Sequence, residues 1–541
     1  MTRRHLLLLA GALLIGLLAR LPGVWWGANF PPGWYGHHPD EYTHTLNTQL
    51  LIDRYQPAYN PETSDAIGMN NPWAAGYTVT PYPKGMAAHV AVPVKILGKL
   101  TGAPAEPPPS ATIIPAGRVV SVLYGVATIL VVFMLALRLT GNTATALLAA
   151  WIIALGGIHV TQSHFFLADV PALFWLLLGV LLLWHDLQER ETGRPTALAG
   201  AAFCFGVAFG LKLLVAGLPS LGLVALARKG RVWRVILAGV FTQFGLYAVN
   251  IGFYTPLDFY QTVARGIADP FLFSTLSSIM LYLIELPALL SLPVTVAAIA
   301  GVFLLAARLL GKRYQGRYET VFLVILLPLL THLGLLLFKL DHFPRHLLPF
   351  VPWLVIAAAW AIVRICERYS NRYPAILPLA SVLLVAYLAA FVADGEKGFL
   401  KESRNDAANW LYENIPAGTS LWWYYHNLPE YTRMNFPTGQ PDVVVEEMIH
   451  ANHYLSGVGL RNSMPRDYRY IFDINSQESA DAFQALFSGE SEYVEAARFD
   501  ENYFMPEYVL TDKIIGNRSR NYLTEVVIFV KRDFAGNKSG N

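Results

Sequence analysis

Charge is scarce in this chain. Asp, Glu, Lys and Arg make up 14% of its 541 residues, against ~25% in ordinary soluble domains. The deficit is local: apolar runs of about 18 to 22 residues recur from His5 to Val392, each long enough to cross ~30 Å of hydrocarbon. A soluble protein has no reason to repeat that length. Cysteine is nearly absent too. Cys204 and Cys366 lie far apart, in or beside apolar runs, which excludes a disulfide framework and a CxxC metal site. No small-x-small cleavage site follows Arg3-Arg4 and the run Leu6 to Leu18, only Ala19-Arg20-Leu21-Pro22, so the N-terminus reads as an uncleaved first span. The net charge is +2, and no basic stripe interleaves with aromatics, so nucleic acid is not an expected partner.

What is there is an α-helical polytopic membrane protein with about eleven spans and a C-terminal soluble α/β domain. The candidate spans are 5–25, 117–138, 144–160, 168–186, 198–211, 213–227, 233–253, 289–309, 319–338, 347–365 and 374–393. Reading 198–227 as a broken pair, turning near Gly210-Leu211-Lys212, returns the basic loop Arg228-Lys229-Gly230-Arg231 to the side of Arg3 and Arg4, as the positive-inside rule prefers. The N-terminus is then cytoplasmic, and loop 26–116 and the tail are extracytoplasmic, in a multi-pass plasma-membrane protein. The missing disulfides and compact loops favour a prokaryotic host. The domains are 1–397, membrane-embedded and including the outer loop 26–116, and 398–541, extracytoplasmic.

Loop 26–116 is too long for a mere connector. Within it, Met86 to Leu100 has apolar residues with Lys95 and Lys99 four apart, which suggests a helix in the outer interface. The tail predicts an amphipathic helix over 403–414, ended by Ile415-Pro416-Ala417-Gly418, and strands at 419–425, 468–473 and 523–531.

Four clusters carry chemistry. His37-His38-Pro39-Asp40-Glu41-Tyr42 follows the first span. Asp40 suits a general base, because an attacking alcohol or amide must shed its proton, with Glu41 steering the acceptor or a cation; equally, Asp40 could cap a helix starting at Glu41. A second outer loop holds His159, His164 and Asp169. Asp169 is either a helix cap or, with His164, part of the same outward cavity. The spacing of these His and carboxylates matches no standard ligand pattern, so no metal is predicted. Lys212, flanked by Phe209-Gly210-Leu211 and Leu213-Leu214-Val215, costs ~3 kcal/mol at mid-membrane and is functional by default, unless it simply snorkels. Lys339-Leu340-Asp341-His342-Phe343-Pro344-Arg345-His346 sets several potential cations beside one carboxylate. It could bind a phosphate, Arg345 offering a bidentate fork, or hold an Asp341–Arg345 surface pair.

Together these stretches resemble the GT-C glycosyltransferases, above all protein O-mannosyltransferases and aminoarabinose-to-lipid-A transferases (glycosyltransferase family 39-like). Asp40-Glu41 is similar to the Asp-Glu motif of their first outer loop. Arg118-Val119-Val120-Ser121 with Gly125, Gly206 to Lys212, Asn250-Ile251-Gly252-Phe253, Arg345-His346-Leu347-Leu348-Pro349 and Arg404 to Leu411 resemble further signatures. Two departures stand out: Leu211 replaces the usual Thr before the lysine, and His346 the usual Tyr. After Thr419 nothing matches.

The resemblance implies a membrane glycosyltransferase that moves a hexose or pentose from a polyprenyl-phosphate donor to a protein or glycolipid acceptor on the extracytoplasmic side, with inversion. Asp40, with Glu41 and Asp169, would form the catalytic group. Lys212, Arg345, His346 and His342 would hold the donor phosphate, and His164 and His38 would contact acceptor or sugar. No cofactor beyond the lipid donor is implied. The alternative is a lipid or solute transporter or flippase with an extracytoplasmic domain. Transporters place ionisable residues near mid-membrane and often show repeats. Here the candidates cluster at one face and no repeat is found.

Overall fold

The computed structural model describes residues 2–26, 41, 44–45, 47–48, 85–101, 110–188, 195–212, 214–227, 230–250, 276–310, 322–337, 344–400, 403–423, 430–434, 439–447, 477–499, 503–515 and 525–536. The chain divides into two compact units, Met1–Trp25 with His38–Ala393, and Trp26–His37 with Asp394–Asn541.

The first unit is a helical bundle. Its helices are α1 (Arg3–Leu18), α2 (Gly85–Thr101), α3 (Ser110–Thr140), α4 (Thr143–Ala154), α5 (Gly157–Ser163), α6 (Asp169–Gln188), α7 (Pro195–Lys212), α8 (Leu218–Ala227), α9 (Arg231–Asn250), α10 (Leu276–Leu290), α11 (Leu292–Leu310), α12 (Leu327–Leu337), α13 (Val351–Tyr369) and α14 (Ile376–Glu396). Among the described residues, seven helices are long and apolar enough to cross a membrane, and two bent pairs raise the number to nine. Local chemistry sets the ends. Thr2 and His5 form a capping box at α1, and Gly141, at φ +67°, stops α3.

The bends fall where the apolar runs are interrupted. α4 and α5 meet at 52°, and α10 and α11 at 117°, across Ser291 at φ 77°. Helix α7 ends at Lys212 and α8 starts at Leu218, so the run 198–227 is broken. The ten-residue α8 is too short to cross alone. Close packing rests on missing side chains. A Cβ at Gly206 would overlap the Thr242 carbonyl, and one at Gly245 the Phe203 carbonyl, so α7 and α9 meet backbone to backbone through small residues, as membrane helices do. Helix α2 forms over the amphipathic stretch of the long loop after the first span. Met86, Val90 and Ile113 share one buried cluster with Phe166, Ala168, Val207 and Leu211, while Val92 and Ile96 are exposed. Half of this helix is therefore docked on the bundle.

The second unit is α/β. Strands β1 (Ser420–Trp423), β2 (Thr432–Arg433), β3 (Val443–Glu447), β4 (Tyr493–Phe499) and β5 (Val526–Lys531) form one sheet in the order β2-β1-β3-β5-β4. The pairs β1–β2 and β1–β3 are parallel, and β3–β5 and β4–β5 antiparallel. Period-2 alternation splits the strands between two cores. Leu421, Trp423, Val443, Val445 and Ile528 pack on Ala407 and Leu411 of α15 (Ser403–Asn414). Trp422, Val444, Val527 and Phe529 pack on Leu486 of α16 (Gln477–Ser488). The expected helix 403–414 and the strands at 419–425 and 523–531 have counterparts here. The expected strand 468–473 lies outside the described residues.

Candidate active site

The Asp-Glu motif is anchored through its second residue. Arg118 on α3 donates from Nε to Glu41 Oε1 (2.8 Å) and from Nη2 to Oε2 (2.7 Å), and neither side chain is exposed. The Phe166 backbone N–H donates to the same Oε1 at 2.7 Å. Arg118 Nη1 donates to the Gly23 and Val24 carbonyls, at 3.1 and 3.3 Å. One planar fork thus ties together the end of the first span, Glu41 in the loop that follows it, α3 and the 164–168 segment. Such bidentate, charge-assisted pairs fix geometry as well as charge. Room for it comes from Gly117, where any Cβ would overlap the Phe166 ring.

A second buried arginine braces the neighbouring helices. Arg20 donates to the carbonyls of Gly16 (2.6 Å), Ala154 (2.8 Å) and Ile153 (3.2 Å), and to Ser163 Oγ (3.2 Å). Its Nη2 also lies 2.7 Å from His159 Nδ1. A guanidinium can only donate, so Nδ1 accepts and neutral His159 carries its proton on Nε2. Arginines in a lipid-facing run are expensive unless their donors are satisfied internally. Both of these are.

Asp169 and Lys212, 43 residues apart in sequence, form an ion pair. Asp169 opens α6 and Lys212 closes α7, so each charge sits at the helix end whose dipole favours it. Asp169 is 7% exposed and Lys212 25%. The lysine is therefore held by its partner while keeping one side open.

Arg345 and His346 lie in a 3-10 turn, Pro344–Phe350, and both are buried. Tyr282 Oη approaches His346 Nδ1 at 3.4 Å, and His332 Nε2 donates to the His346 carbonyl at 2.9 Å. The turn packs on α5 and α6, which flank the 164–168 segment that Glu41 pins. His164, in that segment, is fully buried, packed where a Cβ on Gly23 would overlap its ring. The structure thus brings Glu41, His164, Asp169 and Lys212 around one segment, with the turn that carries Arg345 and His346 packed against its flanking helices. His38, Asp40 and His342 lie outside the described residues. Among the described residues, no group of three or more His, Cys, Asp or Glu could hold a metal ion.

Sequence reasoning missed Arg20, Tyr282 and His332 as site-building residues, took Arg118 only as part of a signature, and singled out His159 without its partner Arg20. The signal was available for the arginines: each interrupts or borders an apolar run, where an unpaired guanidinium is not tolerated.

Comparison with known proteins agrees with this architecture. Residues 114–307 match the family described as dolichyl-phosphate-mannose-protein mannosyltransferase. No curated protein sequence matches. Among solved structures, the Archaeoglobus fulgidus oligosaccharyltransferase AglB in complex with an inhibitory peptide and a dolichol-phosphate is 12% identical at a TM-score of 0.50, over 98% of this chain and 88% of that one. The same enzyme in complex with Zn and sulfate is 13% identical, also at 0.50, over 97% and 88%. ArnT from Cupriavidus metallidurans bound to undecaprenyl phosphate is 15% identical at a TM-score of 0.42, over 76% and 72%. The chain is thus similar to the GT-C glycosyltransferases, with their polytopic helical fold and a small sheet-containing unit at its C-terminus.

Proposed function

We propose that the protein is a membrane glycosyltransferase that transfers a sugar from a polyprenyl-phosphate carrier to an acceptor on the extracytoplasmic side, inverting the anomeric carbon. The observation that carries this reading is the junction at Glu41. A fully buried ion pair fixes the residue next to Asp40, and the segment it pins leads directly into Asp169, the partner of Lys212. The matched family supports sugar transfer from a lipid phosphate. The fold is one that unrelated chemistries can share, so the argument rests on the site.

In this mechanism Glu41 is a positioning residue, its carboxylate consumed by Arg118 and the Phe166 amide. Asp40 takes the proton from the acceptor as that group attacks the anomeric carbon opposite the phosphate. Lys212 and Arg345, with His346 and His342, offset the negative charge that grows on the departing lipid phosphate. Asp169 holds the Lys212 ammonium in place. His164 supports the segment from behind, and His38 faces acceptor or sugar. Acceptors that fit are a protein or a glycolipid, and the enzyme works in a plasma membrane with its N-terminus in the cytoplasm. No metal is assigned a step.

The test uses purified protein in vesicles, labelled polyprenyl-phosphate sugars and a mixture of acceptors. The wild type should label an acceptor, and Asp40→Asn should lose that transfer while keeping its elution profile and melting temperature. Retained transfer by Asp40→Asn would remove Asp40 from the role of base.

A further inference from the structure

The extramembrane unit carries an unusual set of outward-facing apolar side chains. Leu400 is 74% exposed, Phe504 66% and Leu510 57%. Phe504 is held beside the last turn of α14. Asp394 Oδ2 accepts from the Phe504 and Met505 backbone N–H groups, at 3.0 and 2.8 Å. Its Oδ1 accepts from Lys397 Nζ at 2.9 Å. That ammonium lies 4.4 Å from the Tyr503 ring centroid and 5.8 Å from that of Phe504. Tyr508 packs on Gly395, where a Cβ would overlap its hydroxyl. Leu510 follows two residues later in α17 (Pro506–Ile515), and Leu400 directly follows the 3-10 turn Lys397–Phe399.

The membrane boundary at this point is set by sequence. Residues 376–393 contain no charged side chain, and Asp394 is the first carboxylate after them. Eighteen helical residues span ~27 Å, about the thickness of a hydrocarbon core. Asp394 therefore stands at the edge of the hydrocarbon, and the groups bonded to it stand there as well. Aromatic rings, a lysine with its stem along them and exposed aliphatics are the composition of a membrane interface. In water the same surface would be a liability.

We propose that the 397–400 turn and the 503–510 segment form a lipid-interface anchor. Leu400, Phe504 and Leu510 enter the boundary between headgroups and acyl chains of the leaflet where the last span exits, and Lys397 and Tyr503 lie at headgroup level. The inference goes beyond the catalytic reading and does not depend on it.

The test uses the full chain with Cys204→Ser and Cys366→Ser, carrying Phe504→Cys, Leu510→Cys or, as reference, Glu490→Cys at an exposed turn. Each is nitroxide-labelled and reconstituted in vesicles of phosphatidylethanolamine and phosphatidylglycerol. Collision rates are then measured with oxygen, which concentrates in acyl chains, and with a water-soluble nickel chelate. The oxygen-to-nickel ratio at 504 and 510 should exceed that at 490 by at least about threefold. Ratios equal to that at 490 would overturn the proposal. So would low collision rates with both reagents, which would mean that protein covers the patch.

Discussion

Glu41 and Arg118 form a bidentate ion pair with neither side chain exposed. The relationship joins positions 77 residues apart and engages both carboxylate oxygens, with the Phe166 amide sharing Oε1. The Glu41 carboxylate is thus spent on architecture.

Breaking this pair from one side should destabilise strongly. Glu41→Ala strands a buried guanidinium, at a cost of ~3–5 kcal/mol, and should lower the melting temperature of the detergent-solubilised protein by several degrees. Arg118→Lys keeps the charge but loses the fork, and should melt between wild type and Glu41→Ala. Unchanged melting in both variants would contradict the anchoring role.

The Asp169–Lys212 pair predicts a kinetic effect. A charge-assisted hydrogen bond contributes ~1.5–3 kcal/mol, so Asp169→Asn should lower kcat/KM for the lipid donor about tenfold to a hundredfold. The loss should appear mainly in the donor KM, because the lysine keeps its charge and loses its position. A pure kcat loss at constant KM would instead make Asp169 itself the reacting group.

At the opposite ends of α6 and α9, Arg234 Nη2 donates to Asp186 Oδ2 at 2.5 Å, with side-chain exposures of 4% and 0%. Single substitutions, Asp186→Leu or Arg234→Met, should each cost ~3–5 kcal/mol, and the double variant should recover most of that loss. The double-mutant cycle on melting temperature checks it, and additive losses would show that the pair does not couple.

Tyr412 supplies a pH prediction in the second unit. Burial, followed by its hydrogen bond to Glu430 (3.1 Å) and that carboxylate's charge, pushes its phenol up to about 12 from 10. The folded state therefore favours the neutral phenol. Stability from this site is intact below pH 10 and declines between pH 10 and about 12, as the unfolded chain ionises first. The tyrosinate absorbance of wild type minus Tyr412→Phe should show the raised midpoint, and Glu430→Gln should move it down towards 10. A midpoint unaffected by Glu430→Gln would contradict the coupling.

The membrane part was largely legible in the sequence because span length is a direct physical signal. The break in 198–227 was legible from charge placement alone, and α7 does end at Lys212. The C-terminal sheet was only half legible. β1 and β5 are apolar runs, but β3 ends in Glu446-Glu447 and β4 carries Glu495 and Arg498, which pair with each other across exposed positions. Charged residues inside the central strand β3 and the edge strand β4 blur the alternation that marks a half-buried strand. At the site, Lys212 and Asp169 could each be singled out for a charge in apolar surroundings. Their pairing could not, because it depends on how α6 and α7 cross. Arg20 stood in plain view after the first apolar run. Its function as a five-contact brace needed the carbonyls of a bent helix pair that no local pattern announces.

The central claim is that cations from distant parts of the chain meet at the phosphate of a lipid donor. Binding of a labelled polyprenyl phosphate to the vesicle-reconstituted protein, wild type beside Lys212→Ala and Arg345→Ala, tests it most directly. The account predicts that each variant binds at least about tenfold more weakly, the loss of one charge-assisted contact, while still eluting as folded protein. Wild-type affinity in both variants would contradict it.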